Sequence, residues 1–172
     1  MRCAPAPSPA RSIPSSRRSP PQTASRCHAE PVGIEENKDV VRRFVAECVN
    51  VHREDLLDQF VDQAVTMHPG TPDSAEATQG IEELRQAFRR FRILVPDLHA
   101  THDLLVAEGP YVVARWTTTG THESELGGVP ASGKQIRWGG TDIYRIEDGR
   151  IVEWWRNDDF AGLLRRLSRR VM

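Results

Sequence analysis

Two hydrophobic periods divide the chain. Between Asn37 and Phe91 apolar residues recur at helical spacing. Val40, Val41, Phe44, Val45, Cys48 and Val49 make one stripe; Leu56, Leu57, Phe60 and Val61 a second; Ile81, Leu84, Ala87, Phe88 and Phe91 a third. The stripes predict helices over 37–49, 53–61 and 80–91, the first capped by Asn37. A short strand at 64–68 stops at Pro69-Gly70, and a polar loop follows to Gln79. Past the bend at Val95-Pro96-Asp97 the period becomes two, which predicts strands over 98–108, 111–121, 135–146 and 150–158. Turns at Gly109-Pro110 and Asp148-Gly149 and a Gly/Pro loop at 127–133 separate them, and a short amphipathic helix over 160–167 closes the chain. Helices followed by meandering strands give an α+β class. The expected architecture is a cone with one open mouth. Its curved antiparallel (mixed) sheet carries three N-terminal helices on the concave side and a short C-terminal helix.

Residues 1–34 follow neither period. They are rich in Pro, Ser, Ala and Arg, and the first acidic residue is Glu30. Such a segment buries too little apolar surface to offset its ordering entropy, so a disordered tail is expected ahead of a folded domain at 35–172. An organelle transit peptide shares this composition, and a start site assigned too far upstream also accounts for it. The net charge of −1 gives no electrostatic footprint for nucleic acid. No apolar run approaches the roughly 20 residues of a membrane helix. Cys3, Cys27 and Cys48 form neither a disulfide framework nor a metal spacing. A reduced, cytoplasmic setting is the simplest inference.

The stretch WGGTDIYRIEDGRIVEWWRNDD, from Trp138 to Asp159, carries the candidate chemistry. Asp148-Gly149 suits a type I′ hairpin turn. A regular hairpin then opposes Ile146 to Ile151, Tyr144 to Glu153, Asp142 to Trp155 and Trp138 to Asp159. Glu153, Trp155, Asn157 and Asp159 share one face with Tyr144, Asp142 and Trp138. Aromatic walls with a few polar groups describe a pocket; an edge hairpin with one solvated face is the alternative. A carboxylate walled by Trp138 and Trp155 has its pKa raised by desolvation and can serve as general base and then general acid. The register gives that place to Asp159 and leaves Asp158 outside. His99 and His102 point to opposite faces, so they cannot share a metal, and no metal site is expected. His68 and His122, at strand ends, could line the mouth or simply be half exposed. Cys48 sits in an apolar stripe, where an inert thiol is expected. Gly139-Gly140 marks a bulge or a close backbone approach.

Several segments resemble the SnoaL-like polyketide cyclases of the nuclear-transport-factor-2-like superfamily. They are NKDVVRRFVAECVN, His68-Pro69, PDLHATHDLLVAEGPYVVARWTTTGTHESELGGVPASGKQI and DIYRIEDGRIVEWWRNDDFAGLLRRL. The resemblance runs from about residue 36 to the C-terminus. It implies the same cone and an Asp near the end of the last strand as general acid/base of an intramolecular aldol closure. Its E-x-W-x-x-x-D ending falls on Glu153, Trp155 and Asp159. It also implies that His68 and His122 line the pocket. With them, Trp116, Trp138, Tyr144, Glu153, Trp155 and Asn157 are the expected substrate-binding residues. Neither cofactor nor metal is needed. Pro110 stands where the family usually has Asp.

The expected function is therefore a cofactor-independent cyclase in which Asp159 serves a polyketide-like ligand held by Trp138, Trp155 and Tyr144. Two alternatives remain open on the same fold. One is a non-catalytic ligand-binding or accessory dimeric protein; the other is a hydrolase or isomerase. The expected partners are a small hydrophobic or aromatic ligand and a second copy of the chain, with no nucleic acid and no membrane. The homodimer would use a convex face carrying Ile143, Val152 and Trp154.

Overall fold

A computed structural model describes residues 33–69 and 77–169. The tail, and most of the polar loop before Gln79, lie outside the described residues. The first helix, α1 (Ile34–Arg43), starts earlier than expected, with Gly33 at φ 126 as its N-cap. Asn37 does not cap it. Its side-chain amide instead donates to the Gly109 carbonyl at 3.2 Å, tying the helix to a strand turn. A six-residue π segment, Phe44–Val49, continues α1. A 3₁₀ turn (Glu54–Leu56) leads into α2 (Leu57–Phe60). Val61, expected to end that helix, begins β1 (Val61–His68). Next come β2 (Thr78–Gln79), α3 (Ile81–Leu94), β3 (His99–Glu108), β4 (Tyr111–Thr121), β5 (Gln135–Glu147), β6 (Arg150–Asp158) and α4 (Phe160–Ser168).

The six strands form one mixed sheet in the order β2-β1-β6-β5-β4-β3. The pairing of β1 with β6 is parallel and the other pairings are antiparallel. The helices cover one face, giving the expected α+β cone. Phe44 is the hub between the layers. Its ring meets Trp154 edge-on at 5.8 Å, Tyr144 at 6.4 Å and Phe88 at 6.1 Å. Such tilted geometries match the aromatic quadrupoles.

The β5–β6 hairpin departs from the regular register. Its turn forms as expected, with positive φ at Asp148 (47°) and Gly149 (73°), and Ile146 does oppose Ile151. A bulge then inserts Val152, so that Arg145 opposes Glu153, Tyr144 opposes Trp154, Ile143 opposes Trp155 and Asp142 opposes Arg156. One extra residue exchanges the faces of everything that follows it. Trp154, expected outside, is 6% exposed and packs against Tyr144 at 5.2 Å. Glu153, Trp155 and Asn157 turn to the outer face. The exchange buries an indole and keeps the Glu153 carboxylate in an ion pair with Arg145, at 2.6 Å.

Truncating the two tryptophans separates the registers. Trp154→Ala should cost about 3–5 kcal/mol, the range for a buried aromatic. Trp155→Ala, on the outer face, should cost about half of that or less. Urea unfolding of both variants measures this, and the reverse ranking would restore the regular hairpin.

Candidate functional site

Between the helices and the sheet lies a cavity of about 130 Å³. Phe44, Val45 and Val49 line it from the π segment, and Leu84, Ala87, Phe88 and Phe91 from α3. The sheet contributes Ala100 and His102 from β3, Trp116 and Thr118 from β4, Trp138, Asp142 and Tyr144 from β5, and Trp154 and Arg156 from β6. Strand alternation explains this set, since each strand offers every second residue to the helix side. The π segment widens the helix where it lines the cavity, a placement common at functional sites.

Gly140 makes the sheet wall possible. A Cβ there would come within 2.5 Å of both Trp116 Cζ2 and the Asn157 carbonyl oxygen. Only glycine lets the Trp116 indole lie over the strand, which is the close approach that Gly139-Gly140 suggested.

Asp142 is the buried carboxylate of the cavity, at 3% exposure. Its Oδ2 accepts a hydrogen bond from the Tyr144 hydroxyl at 2.9 Å, and its Oδ1 has no partner among the described residues. Burial raises its pKa. Arg156, directly across the ladder, opposes the shift, as do the Tyr144 hydroxyl and the Trp116 and Trp154 indoles. The indole N–H groups fall short of hydrogen-bond geometry. The Arg156 guanidinium lies 5.0 Å from the Trp116 ring centre and 5.6 Å from that of Trp154. It is therefore a cation held by two aromatic faces. Burial, and then the neighbouring Asp142 charge, push the Tyr144 phenol well above its ordinary pKa. It stays a neutral donor.

Of the residues anticipated from sequence, the structure brings Trp116, Trp138 and Tyr144 together around the cavity, with Asp142. Others lie elsewhere. His68 stacks on Trp155 at 4.7 Å on the outer face, with Glu153 at 3.5 Å. Asn157 is exposed. His122 is fully buried but does not line the cavity. Its Nδ1 meets Ser132 Oγ at 3.1 Å and its carbonyl accepts from the Ser132 and Gly133 amides, closing the 127–133 loop. Asp159 is the N-cap of α4. It accepts from Gly162 N at 3.0 Å and pairs with Arg166 at 3.1 Å. That Arg166 bond, with the Gly162 amide, holds the Asp159 carboxyl below its ordinary pKa. Cys48 is inert, its thiol pushed up to about 12 by burial.

Sequence reasoning missed Trp154, Arg156, His102 and the helix-side aromatics as cavity residues. The available signal was Arg156 itself, a cation following two tryptophans in a strand.

Residues 39–167 match the family described as SnoaL-like polyketide cyclase. A curated relative is the aklanonic acid methyl ester cyclase DnrD of Streptomyces peucetius, 27% identical over 131 residues, 76% of this chain and 89% of that protein. Among solved structures, TsrD from Streptomyces laurentii is 34% identical at a TM-score of 0.66, over 77% of this chain and 95% of its own. A SnoaL-like polyketide cyclase from Agrobacterium tumefaciens shares the fold, at 21% identity and a TM-score of 0.63, over 76% of this chain and 97% of its own.

The raised pKa of Asp142 has a stability signature. The folded state holds this proton more tightly than the unfolded chain, whose carboxyl titrates near 3.8. The stability that the protonated form contributes is full below 3.8 and is lost as pH rises through the folded value. Asp142→Asn keeps an acceptor for Tyr144 and carries no charge. Its melting temperature should match wild type at about pH 3 and exceed it increasingly toward neutrality. A difference that does not change with pH would overturn the burial account.

Proposed function

The chain belongs to the SnoaL-like polyketide cyclase family, and from that premise we propose a cofactor-independent ring closure of a polyketide-like substrate, with Asp142 as general acid/base. The observation that carries this reading is the unpartnered Oδ1 of a buried, pKa-raised carboxylate in an aromatic cavity. Asp142 takes an α-proton from a ketone or ester. The electron pair passes into an enolate, whose oxygen lies against the Arg156 guanidinium. The enolate carbon attacks a second carbonyl of the same chain, a C–C bond forms, and the C=O π pair becomes an alkoxide. The alkoxide takes its proton back from Asp142. Nothing is gained or lost overall, so the reaction is an isomerisation. The cavity supplies proximity by holding both carbonyls in one folded substrate.

The test is turnover with a linear precursor. Asp142→Asn should lose on the order of 100-fold or more, the scale of a general acid–base group. Asp159→Asn should stay within a few-fold, because its role here is to cap α4. A loss at Asp159 and not at Asp142 would move the base to the end of the last strand. An isomerase-type alternative rests on the Tyr144–Asp142 pair, in which a protonated Asp142 donates to an oxyanion. In that case Asp142→Asn, still a donor, would retain most turnover.

Trp154, expected on the dimer face with Ile143 and Val152, packs inside and counts against that face. The exposed apolar residues of the outer strands are the remaining basis for a homodimer. Leu104, Val106, Tyr111 and Ile143 are 37–55% exposed on adjacent strands β3, β4 and β5. A second copy burying this patch explains its apolar character. Light scattering should give twice the chain mass, and Val106→Glu should give a monomer. A wild-type monomer at high protein concentration removes the dimer from this reading.

A further inference from the structure

Among the described residues, several buried nitrogens of the cavity lining lack a hydrogen-bond partner: Nε1 of Trp116, Trp138 and Trp154, and Nε2 of His102; Arg156 Nε faces Asp158 Oδ2 at 3.5 Å. Leaving buried donors unpaired is unfavourable, so this lining suits a ligand that brings acceptors. Trp116, Trp154 and Arg156 are already engaged electrostatically with Asp142. His102 is not, and it belongs to a different part of the wall. It lies on β3, paired with Trp116 of β4, which pairs with Gly140 of β5. At ordinary strand spacing that places its backbone about 10 Å from β5.

Its orientation depends on a local irregularity. The β3–β4 register shifts between His102 and Leu104. The shift keeps His102 on the cavity side, while Leu104, two residues on, is 55% exposed. Asp103 turns outward to accept from the Thr117 hydroxyl at 2.8 Å. Bulges beside sites re-aim side chains in this way. Burial lowers the pKa of His102, Arg42 adds to the shift and Asp103 opposes it. The ring is neutral at neutral pH, with one N–H to place.

We infer that His102 is a specificity-determining residue, whose imidazole donates to a carbonyl oxygen of the ligand at a point remote from Asp142. The cavity then selects flat ligands that carry a ketone oxygen there over hydrocarbons of the same shape. This rests on the cavity being the ligand site, as proposed above, but not on Asp142 performing chemistry.

Two bicyclic probes of nearly equal shape test it: α-tetralone, with one carbonyl, and tetralin, with none. Both are titrated against the full chain, with intrinsic tryptophan fluorescence as the readout. Wild type should prefer α-tetralone. His102→Leu should remove about tenfold of that preference and leave tetralin affinity unchanged, as for one lost hydrogen bond. His102→Gln, with a donor amide, should retain part of it. Three outcomes overturn the inference: no preference in wild type, an unchanged preference in His102→Leu, or equal weakening of both probes. Turnover of Asp142→Asn with the linear precursor, measured alongside, separates the two readings. Preference lost at His102 with turnover intact in Asp142→Asn rejects only the general base. Preference intact in His102→Leu with turnover lost in Asp142→Asn rejects only the role of His102.

Discussion

The extra residue that Val152 adds to β6 sets which side chains of the last strand reach the cavity. A regular strand would turn Glu153 and Trp155 inward, placing a second carboxylate in the core and an indole in solvent. With the bulge, Trp154 closes the aromatic cluster on Phe44 and Tyr144, and Arg156 comes opposite Asp142. Leaving a buried carboxylate without a facing cation is far costlier than one irregular ladder step. The position of the charge pair thus follows from the hairpin, and the hairpin from where indole and carboxylate can be accommodated.

The cavity is held in tension between burial and compensation. Desolvation favours neutral Asp142, while the guanidinium, phenol and two indoles favour the anion. A carboxylate balanced in this way can release and accept a proton with little reorganisation, which general acid–base chemistry requires. It also reduces stability, since a neutral isostere at 142 would fit more comfortably. Sites that trade stability for reactivity commonly show this signature.

The aromatic walls have a second function. Trp116 and Trp154 flank the guanidinium, 5.0 and 5.6 Å from their ring centres, and so fix where its charge stands relative to the carboxylate. Gly140 lets Trp116 approach closely enough to do this. The two irregular ladder steps, at Val152 in β6 and near His102 in β3, lie on strands at either side of β4 and β5. Between them they orient the polar groups of the sheet wall.

Much of this was legible in the sequence because it depends on local periodicity. The stripes in α1 and α3, the period-two runs of β3 to β6, the Asp148-Gly149 turn and the helix at Phe160 come from side-chain spacing and backbone preference. Trp138, Asp142 and Tyr144 fall on the cavity face by simple alternation within β5. The family motifs carried the fold as well. What the sequence could not determine was the parity of β6. In IVEWWR, apolar residues occur in adjacent pairs, so the pattern suits either face, and only packing against Phe44 chooses Trp154. That choice moved Glu153, Trp155 and Asn157 outward, brought Arg156 in, and left Asp159 as the cap of α4. The pKa of Asp142 was equally beyond the sequence, because desolvation depends on which helices close over a strand and not on that strand's own residues.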